Sequence, residues 1–152
     1  MKIIWEASTC FLGAAEKPQS KWHLVMTLKR SGVKSREEMT PTEMMETMWL
    51  SAIAGKALKT VMLAHGSNRA WVNYQENGNW AFLRGKEPFY HLHIYGRGDD
   101  DEQHPFGLAL YFPYPAPEFY SSYETLSDEV VKELIEEVKK GVEEKDFSMF
   151  FS

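Results

Sequence analysis

The stretch Phe89-Tyr90-His91-Leu92-His93-Ile94-Tyr95-Gly96-Arg97 reads apolar throughout, with a polar group at every second residue. On a β-strand successive side chains point to opposite faces. His91, His93 and Tyr95 therefore line one face, while Leu92 and Ile94 bury against the other. The strand rise puts the two imidazoles about 7 Å apart along the chain. A phenol follows them, and Arg97 stands just past the end. A titratable row of this kind inside an otherwise apolar strand is a candidate site.

Outward from this strand, the chain alternates short extended segments with two helices. Ile3–Trp5 and Thr9–Leu12 are apolar runs that make one strand or two, and Ala14–Lys21, with Pro18, reads as a turn. Trp22–Leu28 reads as a strand closed by Lys29-Arg30-Ser31-Gly32. A long helix is expected over 41–65: Thr40 is its N-cap, Pro41 takes the first helical position, and Glu43 completes a capping box. Met44, Met48, Ala52, Ala57 and Val61 form its apolar stripe, and Gly66 ends it. Ala70–Tyr74, an Asn77-Gly78 turn, Trp80–Leu83 and a turn at Arg84-Gly85-Lys86 lead into the histidine strand. Beyond it come an acidic loop over 96–105, a further strand over Gly107–Phe112 stopped by prolines, and a Ser127-capped helix from Asp128 to about Glu143. The order predicts an α+β fold, with a mainly antiparallel sheet, one long helix between strands and a C-terminal helix. There is no internal repeat or linker, so residues 1–152 are read as a single domain.

The chain has 152 residues, 43% hydrophobic and 14% aromatic, enough for one well-formed core. The net charge is −5 and no basic tract exists, which argues against nucleic acid as a partner. A lone Cys10 cannot form an internal disulfide and fits a reducing compartment. No segment approaches the roughly 20 apolar residues of a membrane span, and Met1–Glu6 lacks the apolar run of a signal peptide. These features predict a soluble, cytoplasmic protein with no membrane partner.

His91-Leu92-His93-Ile94-Tyr95 resembles the histidine-triad motif, His-φ-His-φ-His-φ-φ, with tyrosine in place of the third histidine. Two further segments support this. Trp22–Arg30 resembles the family's Gly-His-x-Leu-Val-Ile-Pro-Lys-Arg strand, and Val72–Gly78 resembles its Asn-containing strand and turn. The long helix lies between them, as in the family. The resemblance covers roughly residues 20–97.

It implies a nucleotide hydrolase or nucleotidyl transferase acting at the α-phosphorus of a nucleoside phosphate derivative, often as a homodimer. In the family the second histidine attacks phosphorus and a nucleotidyl-histidine forms, which water then hydrolyses. Carried over, His93 is the nucleophile, and His91 orients it and shares phosphate contacts. Neutral imidazole, with an ordinary pKa near 6.5, is both a good nucleophile and a good leaving group. No cofactor is required; Mg²⁺ accompanies a polyphosphate substrate. The tyrosine departs from the family pattern, as does the lead-in Lys86-Glu87-Pro88, since proline offers no N–H donor. Lys86 and Arg97 are the candidates to restore positive potential, with Tyr95 and Asn77 as further substrate contacts. The base pocket of the family is apolar, which makes Phe11, Leu12 and the methionines Met39, Met44, Met45 and Met48 candidates to line it.

Other readings stand beside this one. The tyrosine and the altered lead-in also suit a nucleotide-binding protein without turnover. His91 and His93 could be sheet histidines satisfied by backbone, or two ligands of a metal completed by His104 or His23. His104 and the Asp99–Glu102 run are expected in a solvated loop, His23 is read as structural, and His65 as a partner of its helix C-terminus. Phe147, Phe150 and Phe151 are expected to tuck onto the core or onto a partner.

Overall fold

The computed structural model describes residues 1–76, 78, 80–114 and 117–145. Five strands form one sheet: β1 (Lys2–Glu6), β2 (Cys10–Ala14), β3 (Trp22–Leu28), β4 (Ala70–Gln75) and β5 (His91–Gly98). Their order is β1-β2-β3-β5-β4 and every neighbouring pair is antiparallel. The first two apolar runs are thus two strands. The histidine strand is interior, between β3 and β4.

The long helix α1 spans Pro41–Ala64 and covers one face of the sheet. Its start follows the capping logic. The Glu43 N–H donates to Thr40 Oγ1 at 3.2 Å, and the Thr40 N–H donates back to Glu43 Oε2 at 2.8 Å. Arg30 grips the same carboxylate through Nε at 2.9 Å and Nη2 at 2.8 Å. The Arg30 guanidinium, foremost, holds the Glu43 carboxyl down at about 2. At the other end Gly66 adopts φ +95°, a left-handed conformation that glycine reaches without a Cβ clash.

The expected stripe on α1 needs correction. Met44 and Met48 are exposed, and the buried face carries Glu43, Glu46, Thr47, Leu50, Ile53, Ala54, Ala57, Leu58, Val61 and Met62. Ala57 and Val61 hold their expected places, but the first turns of this face carry buried polar groups, two of whose carboxylates are satisfied internally. Glu46 accepts from the Ser8 and Thr9 amides and the Thr9 hydroxyl, which fixes the β1–β2 turn. The C-terminal helix α4 (Asp128–Glu144) buries Val130, Val131, Leu134 and Val138 and packs on α1 and β1. The Val130 N–H donates to its N-cap, Ser127 Oγ.

Trp80–Leu83 forms one helical turn, α2, and Pro117–Tyr120 forms another, α3. The strand expected over 107–112 is absent. That segment is irregular, and its Leu108 carbonyl is taken by Arg97 at 2.9 Å, so it lies across the sheet instead of extending its edge. Phe147, Phe150 and Phe151 lie outside the described residues. Among the described residues no helix is long and apolar enough to cross a membrane.

Candidate active site

The site sits on the sheet face opposite α1. Leu92, Ile94 and Gly96 point toward the helix: a Cβ on Gly96 would lie 2.6 Å from Met62 Sδ and 2.6 Å from Trp22 Cβ. The alternation then sends His91, His93 and Tyr95 to the other side. Strand register adds Thr27 opposite His91, Val25 opposite His93 and His23 opposite Tyr95. Asn73 and Gln75 flank Tyr95 and His93 from β4. Phe11 is opposite Thr27 and so lies in the His91 row, whereas Leu12 is fully buried in the core.

The rings form one aromatic assembly. His91 and His93 meet edge to face at 4.6 Å between centroids, and His93 stacks on Tyr95 at 5.4 Å with 7° between planes. His23 lies 4.5 Å from Tyr95 and 5.0 Å from His93. Phe89 stacks on the outer side of His91 at 4.6 Å.

The hydrogen bonds distinguish the two motif histidines. His91 is partly exposed, and its Nδ1 lies 2.9 Å from the Phe89 carbonyl oxygen. A carbonyl only accepts, so Nδ1 carries the proton and the neutral ring holds its lone pair on Nε2. His93 is the reverse. The Gln19 backbone N–H donates to His23 Nδ1 at 3.1 Å, which leaves the proton of neutral His23 on Nε2. That Nε2 sits 2.8 Å from His93 Nδ1 and donates to it. Neutral His93 then carries its own proton on Nε2. Burial, and next the adjacent His91, push the His93 imidazole down to about 3. Burial first, then His93 and His91, hold His23 well below the usual imidazole range. Both rings are therefore neutral near pH 7, as the chain of donors requires. Among the described residues, neither His91 Nε2 nor His93 Nε2 has a protein partner. One ring offers a lone pair and its neighbour an N–H.

The other expected site residues are placed differently. Tyr95 is fully buried, and its hydroxyl donates to Gln19 Oε1 at 2.7 Å. Arg97 is 5% exposed; its Nη2 donates to the carbonyls of Pro105 at 3.0 Å and Leu108 at 2.9 Å. Burial lowers its pKa, against the pull of Asp101. Arg97 therefore ties down the following loop and is withdrawn from the open face. Lys86 occupies the exposed turn after α2, and no contact ties its ammonium to the histidines. Asn77 lies outside the described residues. Met44, Met45 and Met48 line a groove of about 1050 Å³ shared with Leu92 and Tyr74, on the α1 side of the sheet and away from the imidazoles.

Two loop readings also change. His104 is buried, with Nε2 2.8 Å from the Gln19 carbonyl. In the acidic run Asp99 and Glu102 are exposed as expected, but Asp101 accepts from the His104 amide and the Tyr123 hydroxyl, and Asp100 from Ser67 and Trp22. His65 is the C-cap of α1, as expected, and its ring also pairs with Glu133 at 2.9 Å. Among the described residues no group of three or more His, Cys, Asp or Glu is arranged to hold a metal ion. Sequence reasoning placed Gln19 only in the turn over 14–21 and gave it no role at the site. Its contribution comes mainly from the main-chain amide and carbonyl, which leave no mark on residue choice.

No protein-family model matches the sequence, and no curated protein matches it significantly. Solved structures do match. A histidine triad protein from Sinorhizobium meliloti 1021 is 16% identical, with TM-score 0.61 over 92% of this chain and 88% of that one. A histidine triad protein from Bradyrhizobium japonicum is 14% identical, with TM-score 0.60 over 92% and 89%. A hypothetical histidine triad nucleotide-binding protein from Sulfolobus tokodaii strain 7 is 15% identical, with TM-score 0.55 over 93% and 83%. The fold is that of the histidine triad proteins.

Proposed function

We propose that this chain, built on the histidine-triad fold, is a nucleotide hydrolase or nucleotidyl transferase acting at the α-phosphorus of a nucleoside phosphate derivative, with His91 as the attacking ring. The observation that carries this reading is the pairing of a pinned, partly exposed imidazole lone pair with an adjacent imidazole N–H. The sequence expectation gave attack to His93. The bonding pattern favours His91, because an attacking Nε2 on neutral His93 would need its proton on Nδ1, where His23 already donates.

In the first step the His91 Nε2 lone pair forms an N–P bond while the bond from phosphorus to the leaving group breaks. The leaving group departs with the electron pair and takes its proton from solvent. The positive charge acquired by His91 faces the Phe89 carbonyl through Nδ1–H. The His93 Nε2–H donates to a phosphoryl oxygen as its charge grows. Water then attacks phosphorus and gives up a proton to solvent, the N–P pair returns to Nε2, and nucleotide is released. Phe11 offers an aromatic surface for the base on the same face. The scheme draws on imidazole alone, and Mg²⁺ enters only with a polyphosphate substrate.

We extend the proposal to a homodimer. Exposed Met44 and Met48 on α1, with Trp71 and Tyr74 on the edge strand β4, support it. A second functional reading, nucleotide binding without turnover, is favoured by the sequestration of Arg97, which leaves the phosphate with less positive charge than the sequence suggests.

Nucleotide release from a panel of nucleoside phosphoramidates and dinucleoside polyphosphates tests the choice. The enzymatic reading expects release by wild type and none by His91→Ala. Nucleotide binding without release by wild type would overturn it in favour of the second reading.

A further inference from the structure

Gln19 makes three hydrogen bonds to three different side chains of the site. Its N–H donates to His23 Nδ1 at 3.1 Å, its carbonyl accepts from His104 Nε2–H at 2.8 Å, and its side-chain Oε1 accepts from the Tyr95 hydroxyl at 2.7 Å. The loop around it is closed in, with Pro18 and Ser20 both buried. Tyr95 has no exposed surface, and His104 is 1% exposed. The three Gln19 bonds are partly buried, and the His23–His93 bond they lead to is fully buried, where a hydrogen bond is stronger and an unmade one costs more.

We propose that Tyr95 and Gln19 form a clamp that determines which nitrogen of His93 carries the proton, so that the tyrosine standing in place of the third motif histidine is a positioning residue and not a phosphate contact. The chain of donors runs in one direction only. A main-chain N–H cannot accept, so it fixes His23 with its proton on Nε2. His23 must then donate to His93 Nδ1, and His93 must present Nε2–H. Reversing any link would set two donors or two lone pairs against each other in a buried site. The clamp acts by holding Gln19 so that its amide points at His23: the Tyr95 hydroxyl holds the side chain and His104 holds the carbonyl. The stacking of Tyr95 on His93 and His23 fixes the planes of the same rings.

The inference rests on the proposed role of His93 as the N–H donor beside the nucleophile, yet its main test does not need turnover. Proton positions on the imidazoles are read by long-range ¹⁵N–¹H correlation NMR on full-length protein labelled at histidine. The expected wild-type spectrum shows His23 and His93 as single Nε2-protonated tautomers and His91 as the Nδ1-protonated one. Proton on Nδ1 of His93 overturns the clamp, whatever the activity. Expected tautomers in a protein without turnover support the clamp and count against the enzymatic reading alone.

Two variants extend the test. His23→Leu removes the donor to His93 and is expected to abolish the single Nε2-protonated signal. Retention of that signal overturns the relay. Tyr95→Phe keeps the ring and removes the hydroxyl. It is expected to mix the His93 tautomers and to lower kcat by about tenfold, the scale of losing an outer positioning partner, with KM unchanged. A raised KM at unchanged kcat, with His93 still a single tautomer, would make Tyr95 a substrate contact and overturn the proposal.

Discussion

His93 and His23 are buried as neutral rings, and burying them carries a stability consequence. In the unfolded chain an imidazole takes up a proton near pH 6.5, whereas folded His93 does so only at about 3. Between those values the unfolded state binds more protons, so stability that is full above pH 6.5 is lost as the pH falls. His23, shifted the same way, adds to the loss. Urea unfolding at pH 7.0, 6.0 and 5.0 is expected to show stability declining by up to about 1.4 kcal/mol per pH unit for each ring. Flat stability over that range would mean that neither ring is held neutral. The chemistry of this row was legible in the sequence, because strand alternation alone put His91, His93 and Tyr95 on one face. The division of labour between the two histidines was not. It depends on a carbonyl at Phe89 and an amide at Gln19, and main-chain groups are the same at every residue. The burial of Tyr95 and Arg97 was hidden for a related reason, since the segment that covers them, through His104, Pro105, Leu108 and Phe112, carries no periodic pattern.

At the scale of elements, Arg97 is the clearest departure from expectation and the easiest to check. If it serves the loop and not the phosphate, Arg97→Met leaves the carbonyls of Pro105 and Leu108 without their donor. The variant is expected to lose about 1–3 kcal/mol of stability and to speed hydrogen exchange over 104–112, while nucleotide affinity is unchanged. A large drop in affinity with unaltered exchange would return Arg97 to the substrate. The junction of β5 with α1 is equally specific. Gly96→Ala would push a methyl against Trp22 Cβ and Met62 Sδ, and it is expected to cost about 1–3 kcal/mol in denaturant unfolding. Elements signposted by caps were readable at their true boundaries. Helix α1 begins where Thr40, Pro41 and Glu43 place it, and α4 follows Ser127. The segment over 107–112 was misread because an apolar run before prolines resembles a strand, and only Arg97 shows that its backbone is used elsewhere.

For the molecule as a whole, the sheet separates two surfaces. One carries the imidazoles; the other carries α1 and the methionine groove beside the edge strand β4. The proposed homodimer uses the second surface, where an exposed strand edge and large apolar side chains would otherwise face water. Light scattering is expected to give twice the mass of 17.6 kDa for wild type, and a monomer for Met48→Glu combined with Tyr74→Glu. A monomeric wild type at tens of micromolar would remove this part of the proposal. The central claim is that His91, and not His93, bonds to phosphorus. It is tested most directly by brief reaction with a nucleoside phosphoramidate, quenching, and mass mapping of the modified peptide in wild type and in each single alanine variant. The account predicts a nucleotidyl adduct on His91 that persists, at reduced yield, in His93→Ala and vanishes in His91→Ala. An adduct on His93 that survives His91→Ala would contradict it.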